Sequence, residues 1–123
     1  MKKVFHFDSQ TDHYRADACV VSCFDARFEL VTRKFLKRRA IWWTDPLKIA
    51  GGAKIFASPA DESERSFALS QVQTSMRLHR TTRIVLMVHS DCGAYGGLCR
   101  PSAATKRARP RTMKPNCAPP SNF

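Results

Sequence analysis

The chain has 123 residues, which is enough for one small domain with an apolar core of its own. No stretch is apolar enough to predict a membrane span, and His6 and Asp8 interrupt the N-terminal segment where an export signal would need apolar residues, so we expect a cytoplasmic protein. The formal charge of +11 could indicate nucleic-acid binding, but much of this charge lies in the last part of the chain. Six basic residues and none of the 10 acidic ones lie beyond residue 98, so the rest of the chain is only moderately basic.

A change in composition divides the chain near residue 98. Residues 1–98 mix apolar and charged side chains as folded domains do, whereas residues 99–123 contain no acid and five of the seven prolines. We therefore expect a folded domain over 1–98 and a basic, proline-rich tail over 99–123 that is disordered, truncated or translated out of frame. The five cysteines, an odd number without an export signal, favour metal binding or catalysis over a disulfide framework.

The first predicted elements are a strand and a helix. The run ACVVS, residues 18–22, predicts a short strand buried on both faces. The helix predicted over 28–40 has its apolar residues at helical spacing, on the face expected to pack against a sheet. They are Phe28, Val31, Phe35 and Leu36. Asp45-Pro46 then predicts a turn, residues 47–50 a second strand, and Gly51-Gly52 a sharp bend.

A second helix and a third strand follow. Ser58, Pro59 and Asp61 have the spacing of a helix start, so we expect a helix from there to about residue 79. Its expected inner face consists of Phe67, Ala68, Val72 and Met76. Residues 83–88, RIVLMV, predict the most apolar strand, which we expect to be central. This order predicts an α/β fold of three layers: a mainly parallel sheet of order 2-1-3, which further strands could complete, with flanking helices.

Side chains with metal-binding chemistry follow two of the predicted strands. Cys23 comes directly after the first strand, and His89 and Cys92 follow the third. Because ligands of open parallel sheets bind outside the carboxyl ends of the strands, a sheet of order 2-1-3 brings these residues together. Two thiolates and an imidazole are a ligand set that zinc favours, and a fourth position is left for water. The sequence therefore predicts a catalytic zinc site.

Two charged residues accompany Cys23. If the chain stays extended, Asp25 and Arg27 project to the same side as Cys23, at about 7 and 13 Å along the strand. Asp25 could then orient the water by accepting its hydrogen bond, or it could bind the metal itself. A guanidinium holding that carboxylate would prevent the second arrangement, which gives Arg27 a role.

Together, SCFDARF and HSDCGAYGG resemble the beta-class carbonic anhydrases, whose pattern is Cys-x-Asp-x-Arg followed by His-x-x-Cys-Gly. The resemblance covers roughly residues 18–97. It implies that Cys23, His89 and Cys92 hold Zn²⁺ and that Asp25 and Arg27 form the catalytic dyad. The implied reaction is the reversible hydration of carbon dioxide to bicarbonate by zinc-bound hydroxide. Members of this family are dimers or larger assemblies, so the resemblance also implies a homo-oligomer.

The segment after the second strand departs from many members of that family. Where they have Arg-Asn-Ala-Gly-Asn, this chain has KIAGG at residues 48–52, which is more similar to compact bacterial members with Ala-Gly-Gly-Ala. By that correspondence Gly51 and Gly52 line the substrate pocket. The tail after Gly97 does not resemble the family.

Other functions remain open at this point. An inactive zinc-binding relative is expected if the altered C-terminal segment prevents dimerisation. A hydrolase of carbonyl sulfide or carbon disulfide would use the same metal site. A nucleic-acid binder acting through the tail is the weakest alternative, because basic residues without interleaved aromatic side chains give only weak, salt-sensitive attachment.

Overall fold

A computed structural model describes residues 2–96 of the chain. The predicted tail, with Cys99 and Cys117, lies outside the described residues. Three strands alternate with helices: β1 (Ala18–Ser22), α1 (Glu29–Arg38), β2 (Thr44–Lys48), α2 (Lys54–Ala57), α3 (Glu62–His79) and β3 (Ile84–Leu86). Two short 3-10 turns, Ala26–Phe28 and Gly93–Tyr95, follow β1 and β3. Within residues 2–96 no helix has the length and apolar character needed to cross a membrane.

The sheet is parallel throughout and its order is β2-β1-β3, which confirms the predicted fold class. All five residues of β1 are buried, because this strand has neighbours on both edges and helices on both faces. The prediction that the third strand is central was wrong for the described residues: β3 pairs only with β1 and is half exposed. The register places Ser22 opposite Lys48 and Val21 opposite Leu86, so the carboxyl ends of the three strands lie together.

The core consists of two clusters, one on each face of the sheet. On one face α1 contributes only Leu36, which packs with Ala18, Val20 and Ile41. On the other face α3 contributes Val72. The two buried β1 residues of this second cluster are Cys19 and Val21. These two faces with their helices make the three layers that the sequence predicts.

Each helix buries a narrower stripe than predicted. Val31 and Phe35 of α1 are exposed, and so are Phe67 and Met76 of α3, whose side chains are 61% and 47% accessible. The residues of α3 that face the sheet are Ala68, Val72 and Ser75. The three-stranded sheet of residues 2–96 therefore covers only part of the apolar width of each helix, and the predicted inner faces were partly wrong.

Strand β2 begins earlier than predicted and contains the Asp45-Pro46 pair, for which we had expected a turn. Proline is tolerated there because β2 is an edge strand in the described part of the chain, and its outer edge donates no ladder hydrogen bond. The Asp45 carboxylate accepts hydrogen bonds from Tyr14 (2.6 Å), Ser75 (2.6 Å) and His79 (2.7 Å), and so ties β2 to α3 and to the N-terminal segment.

Helix α3 begins three residues later than predicted. The Asp61 side chain caps the helix by accepting from the Ser63 N–H, and the Glu64 carboxylate accepts from the Ala60 N–H, so the cap predicted at Ser58 lies at Asp61. Ser58 instead ends the four-residue helix α2.

Candidate metal centre

The three predicted metal ligands lie together beyond the carboxyl ends of β1 and β3. One ligand atom from each of Cys23, His89 and Cys92 lies within 4.8 Å of the others. The two thiol sulfurs are 3.9 Å apart. No other group of three or more His, Cys, Asp or Glu side chains within residues 2–96 has this geometry. The structure thus brings together residues separated by 69 positions in the sequence.

The orientation of the His89 ring leaves one nitrogen free for a metal. Nδ1 lies 2.7 Å from the backbone oxygen of Ser90, and because a carbonyl only accepts, Nδ1 must carry the proton and donate it. In the neutral ring Nε2 therefore bears the lone pair, and this atom is buried with no hydrogen-bond partner in the described structure. Phe28 stacks on the ring at a centroid distance of 4.1 Å and holds its plane. A buried acceptor without a donor is costly unless a cation or a water satisfies it.

The environment of Cys23 favours its thiolate. Burial opposes ionisation, but the nearby His89 ring, the backbone N–H groups of Asp25 and Gly51, and the Cys92 thiol more than offset it. The pKa of Cys23 accordingly falls to about 7. Proximity to Cys23 is in turn the largest cause that raises the pKa of His89. The thiolate is the form that binds a metal, so Cys23 is prepared for that role.

The separation of the two sulfur atoms fits a tetrahedral metal. Two sulfurs bound to one Zn²⁺ at about 2.3 Å with tetrahedral angles are about 3.8 Å apart, and the observed separation is 3.9 Å. The donor set of two sulfurs and one imidazole nitrogen, with Nε2 unsatisfied, is also the chemistry that zinc prefers. The residues present therefore fit the ion, and they leave one tetrahedral position without a protein ligand.

Asp25 and Arg27 form a close ion pair next to the ligands. The chain does not stay extended past Cys23: Asp25 caps the turn Ala26–Phe28, so the two side chains meet through a turn and not through strand alternation. Arg27 donates from Nε to both carboxylate oxygens at 3.1 Å and from Nη2 to Oδ2 at 2.7 Å. Hydrogen bonds from Arg27 hold the pKa of Asp25 at about 2. Asp25 Oδ2 lies 4.0 Å from Nε2 of His89, beside the ligand set.

Asp91 is a residue of this site that our interpretation of the sequence missed. Its carboxylate accepts from Nη1 of Arg27 at 3.2 Å, and its backbone oxygen accepts from Nη2 at 3.3 Å. The residue lies between His89 and Cys92 in the motif HSDC, which was the available signal. Sequence reasoning gave it no role because nothing local indicates that Arg27, 64 positions earlier, reaches this loop.

Gly52 lies in the structural support of the centre. Its φ is +56°, and a Cβ added there would lie 2.3 Å from the backbone oxygen of Met87 and 2.9 Å from the backbone nitrogen of Cys23. Gly51 has φ +77° and lies against the Ala94 and Lys54 side chains. The bend predicted at these glycines is present, and it packs directly against the segments that carry Cys23 and His89. Their place in a substrate pocket stays a prediction.

A cavity of about 330 Å³ adjoins the ligands on the α1 side of the sheet. Besides Cys23 and His89, its walls are mostly apolar. They include Phe28, Val31, Met87 and Val88. The Ser22 hydroxyl also lines the cavity, and it is buried without a hydrogen-bond partner. A small apolar molecule can therefore approach two of the metal ligands from this side.

Comparison with known proteins gave one finding. A family model described as "Putative carbonic anhydrase" matches residues 14–111, which include every residue of the metal centre. The match covers most of the chain and extends past the domain boundary predicted at residue 98. Searches of curated proteins and of solved structures returned no match.

Proposed function

The chain belongs to this carbonic anhydrase family, and on that basis we propose that it is a zinc-dependent enzyme that interconverts carbon dioxide and bicarbonate in the cytoplasm. One observation carries the proposal: three ligand atoms, from Cys23, His89 and Cys92, converge within 4.8 Å, and the nitrogen among them is buried without a hydrogen-bond partner. Family membership supplies the reaction class, and the donor set supports zinc.

The metal, when bound, supplies Lewis-acid activation of water. The protein side chains prepare the surroundings of that step. Asp25 accepts a hydrogen bond from the reacting water and orients its oxygen. Arg27 keeps this carboxylate ionised and holds it away from the metal, since the guanidinium already occupies both carboxylate oxygens. Two thiolate ligands cancel the charge of a divalent cation, so water is acidified less than by three neutral ligands, and we expect activity to rise toward alkaline pH.

The cavity beside the ligands suits the substrate. Carbon dioxide is small, linear and without net charge, and the walls formed by Phe28, Val31, Met87 and Val88 offer it an apolar path to the centre. Bicarbonate, the charged product, gains nothing from these walls and leaves toward the polar side where Arg27 is exposed.

The test is stopped-flow measurement of carbon dioxide hydration by the purified, zinc-loaded chain. We expect a rate above buffer that is lost in Cys92→Ser and falls by about 10²–10⁴-fold in Asp25→Ala. Two matched controls remove the same residue types elsewhere. One is Cys117→Ser in the tail, and the other is Asp8→Ala. The Asp8 carboxylate pairs only with His6 in the described structure and is nearly fully exposed. Both should keep the parental rate.

The outcomes separate the alternatives. One zinc per chain without hydration above buffer contradicts the proposed reaction and favours an inactive zinc-binding relative. Absence of zinc from a folded chain contradicts the metal centre itself. Turnover of carbonyl sulfide or carbon disulfide in preference to carbon dioxide would replace the proposed substrate but not the site.

We also propose that the chain forms a homo-oligomer. Trp42 and Trp43 are adjacent, and their side chains are 66% and 57% accessible, an unusual exposure for the largest apolar side chains. This exposure supports the proposal, because a second copy would bury the two indoles. A monomeric mass in light scattering at working concentration would contradict it, and Trp43→Ser should shift a dimeric chain toward monomer.

A further inference from the structure

The side chain of Arg27 contacts both of the segments that carry metal ligands. From Nε and Nη2 it donates to Asp25, two residues beyond Cys23. From Nη1 it donates to the Asp91 carboxylate, and from Nη2 to the Asp91 backbone oxygen, between His89 and Cys92. One guanidinium group thus links two stretches of chain that are 64 residues apart.

Near the ligands, these two stretches of the described chain are not linked by backbone hydrogen bonds. The hydrogen bond from the Met87 N–H to the Val21 oxygen, at 2.9 Å, precedes both ligand segments. Beyond it, the described residues show no backbone hydrogen bond from residues 23–28 to residues 88–92. Side-chain contacts therefore help to set the distance between Cys23 and Cys92. Besides the stacking of Phe28 on His89, the guanidinium of Arg27 is a charged link between the two segments.

The backbone of Asp91 is shaped to offer its carboxylate to Arg27. Its φ is +55°, in the left-handed region, which costs a non-glycine residue energy and which aspartate and asparagine tolerate better than most. This conformation is part of the turn that carries the chain from His89 to Cys92. The same turn directs both the carboxylate and the backbone oxygen of Asp91 toward one guanidinium.

We propose that Asp91 is a positioning residue of the metal centre, which acts through Arg27 to hold the His89–Cys92 segment at the correct distance from Cys23. The inference rests on the proposed metal site but not on the proposed reaction. The effect of Asp91 is carried by the guanidinium that it shares with Asp25.

The first test measures metal affinity in the full chain by competition between the apoprotein and a chromophoric chelator for Co²⁺ and Zn²⁺. We expect Asp91→Asn, which keeps the shape and tolerates the left-handed backbone, to weaken binding about tenfold. We also expect the intensity of the Co²⁺ d–d bands to fall as the ligand geometry loosens. The control Glu62→Gln removes a carboxylate that is paired with Arg65 on α3 and is not part of the Asp25–Arg27–Asp91 cluster, and this variant should bind as the parent does.

A double-mutant cycle separates positioning from charge. If Asp91 acts through Arg27, then Asp91→Asn has little further effect on affinity once Arg27→Met has removed the link. If Asp91 attracts the cation only by its negative charge, the same fold-change appears in both backgrounds, and the proposal is refuted.

A metal-independent test uses the two thiols. In a glutathione buffer, oxidised glutathione takes two electrons and two protons from the thiols of Cys23 and Cys92, which close to a disulfide, and two reduced glutathione molecules form. The equilibrium constant reports how closely the apoprotein holds the two segments, so we expect Asp91→Asn to lower it several-fold and Glu62→Gln to leave it unchanged. A chain that binds no Co²⁺ refutes the metal centre, while an Asp91→Asn variant with the parental thiol equilibrium refutes the positioning role.

Discussion

A glycine-to-alanine series tests how tightly the support of the metal centre is packed. Gly52, Gly96 and Gly93 lie near the same site but differ in what an added methyl group meets. Gly52 has both a positive φ and backbone atoms within 3 Å of the added Cβ. Gly96 has a positive φ of +88° and an added Cβ there meets no atom of residues 2–96 within 4 Å, and Gly93 has neither constraint among those residues.

The magnitudes follow from these differences. A left-handed backbone costs an alanine about 1–2 kcal/mol, and this term applies to Gly52→Ala and Gly96→Ala. A Cβ at 2.3 Å from the Met87 oxygen forces the backbone of β1 or β3 to shift, which adds about 1–3 kcal/mol for Gly52→Ala alone. We therefore expect losses of unfolding free energy of about 2–5 kcal/mol for Gly52→Ala and about 1–2 kcal/mol for Gly96→Ala. Gly93→Ala should be close to neutral.

The assay is unfolding of the three variants and the parent, by heat and by urea, followed by circular dichroism. In a domain of this size about 1 kcal/mol corresponds to about 4–8 °C, so the order of the midpoints is resolvable. At temperatures where Gly52→Ala is still folded, this variant should also bind zinc more weakly than the parent, because the displaced backbone belongs to Cys23 and Met87.

The test is the order of the unfolding free energies of the three variants. If Gly52→Ala is as stable as Gly93→Ala, then Gly52 does not pack against the strand ends as described. If Gly52→Ala equals Gly96→Ala, only its backbone conformation matters and the contact with Met87 costs nothing.

Three further predictions concern the rest of the domain. Hydrogen bonding to Asp45, followed by burial, raises the pKa of Tyr14 to about 12, so this bond stabilises the fold fully below about pH 10 and is lost as the pH rises toward 12. The difference in melting temperature between the parent and Tyr14→Phe should therefore shrink over that range, and a constant difference would contradict the assignment. Free Zn²⁺ at 100 times its Kd should raise the free energy of unfolding by about 2.7 kcal/mol, reversibly with a chelator, and an unchanged melting curve would count against the site. Leu36→Ala, in the core, should cost about 2–4 kcal/mol in urea unfolding, whereas Leu30→Ala, on the exposed face of α1, should stay within about 0.5 kcal/mol; equal losses would mean that the helix face is misassigned.

The fold class and the convergence of the ligands could be predicted because both follow from local signals. A short strand with two valines ends at Ser22, directly before Cys23, and a second apolar run ends at Val88, directly before His89, so these two ligands are placed by the runs that they follow. The strand order 2-1-3 then brings the carboxyl ends of the strands together, whichever residues of the helices are buried.

The buried face of each helix could not be predicted from periodicity. Phe67 and Met76 have the spacing of an inner face and are nonetheless exposed, because coverage depends on the width of the sheet beneath the helix. The position of β3 in the sheet could not be predicted from its sequence either, although its apolar residues predicted a central strand. Its position at the edge of the described sheet depends on which strands lie beside it.

The sequence by itself determined the chemistry of this protein: the identities of two thiols and an imidazole, the aspartate and arginine that accompany them, and the strands that deliver them. Only the tertiary structure decided how these groups are held. It turns the chain after Cys23 so that Asp25 and Arg27 pair, places Gly52 against Met87 and Cys23, and brings Asp91 to the same guanidinium. Spacing along a chain specifies which groups leave a strand together, whereas contacts between segments 64 residues apart exist only when both segments are packed on one sheet.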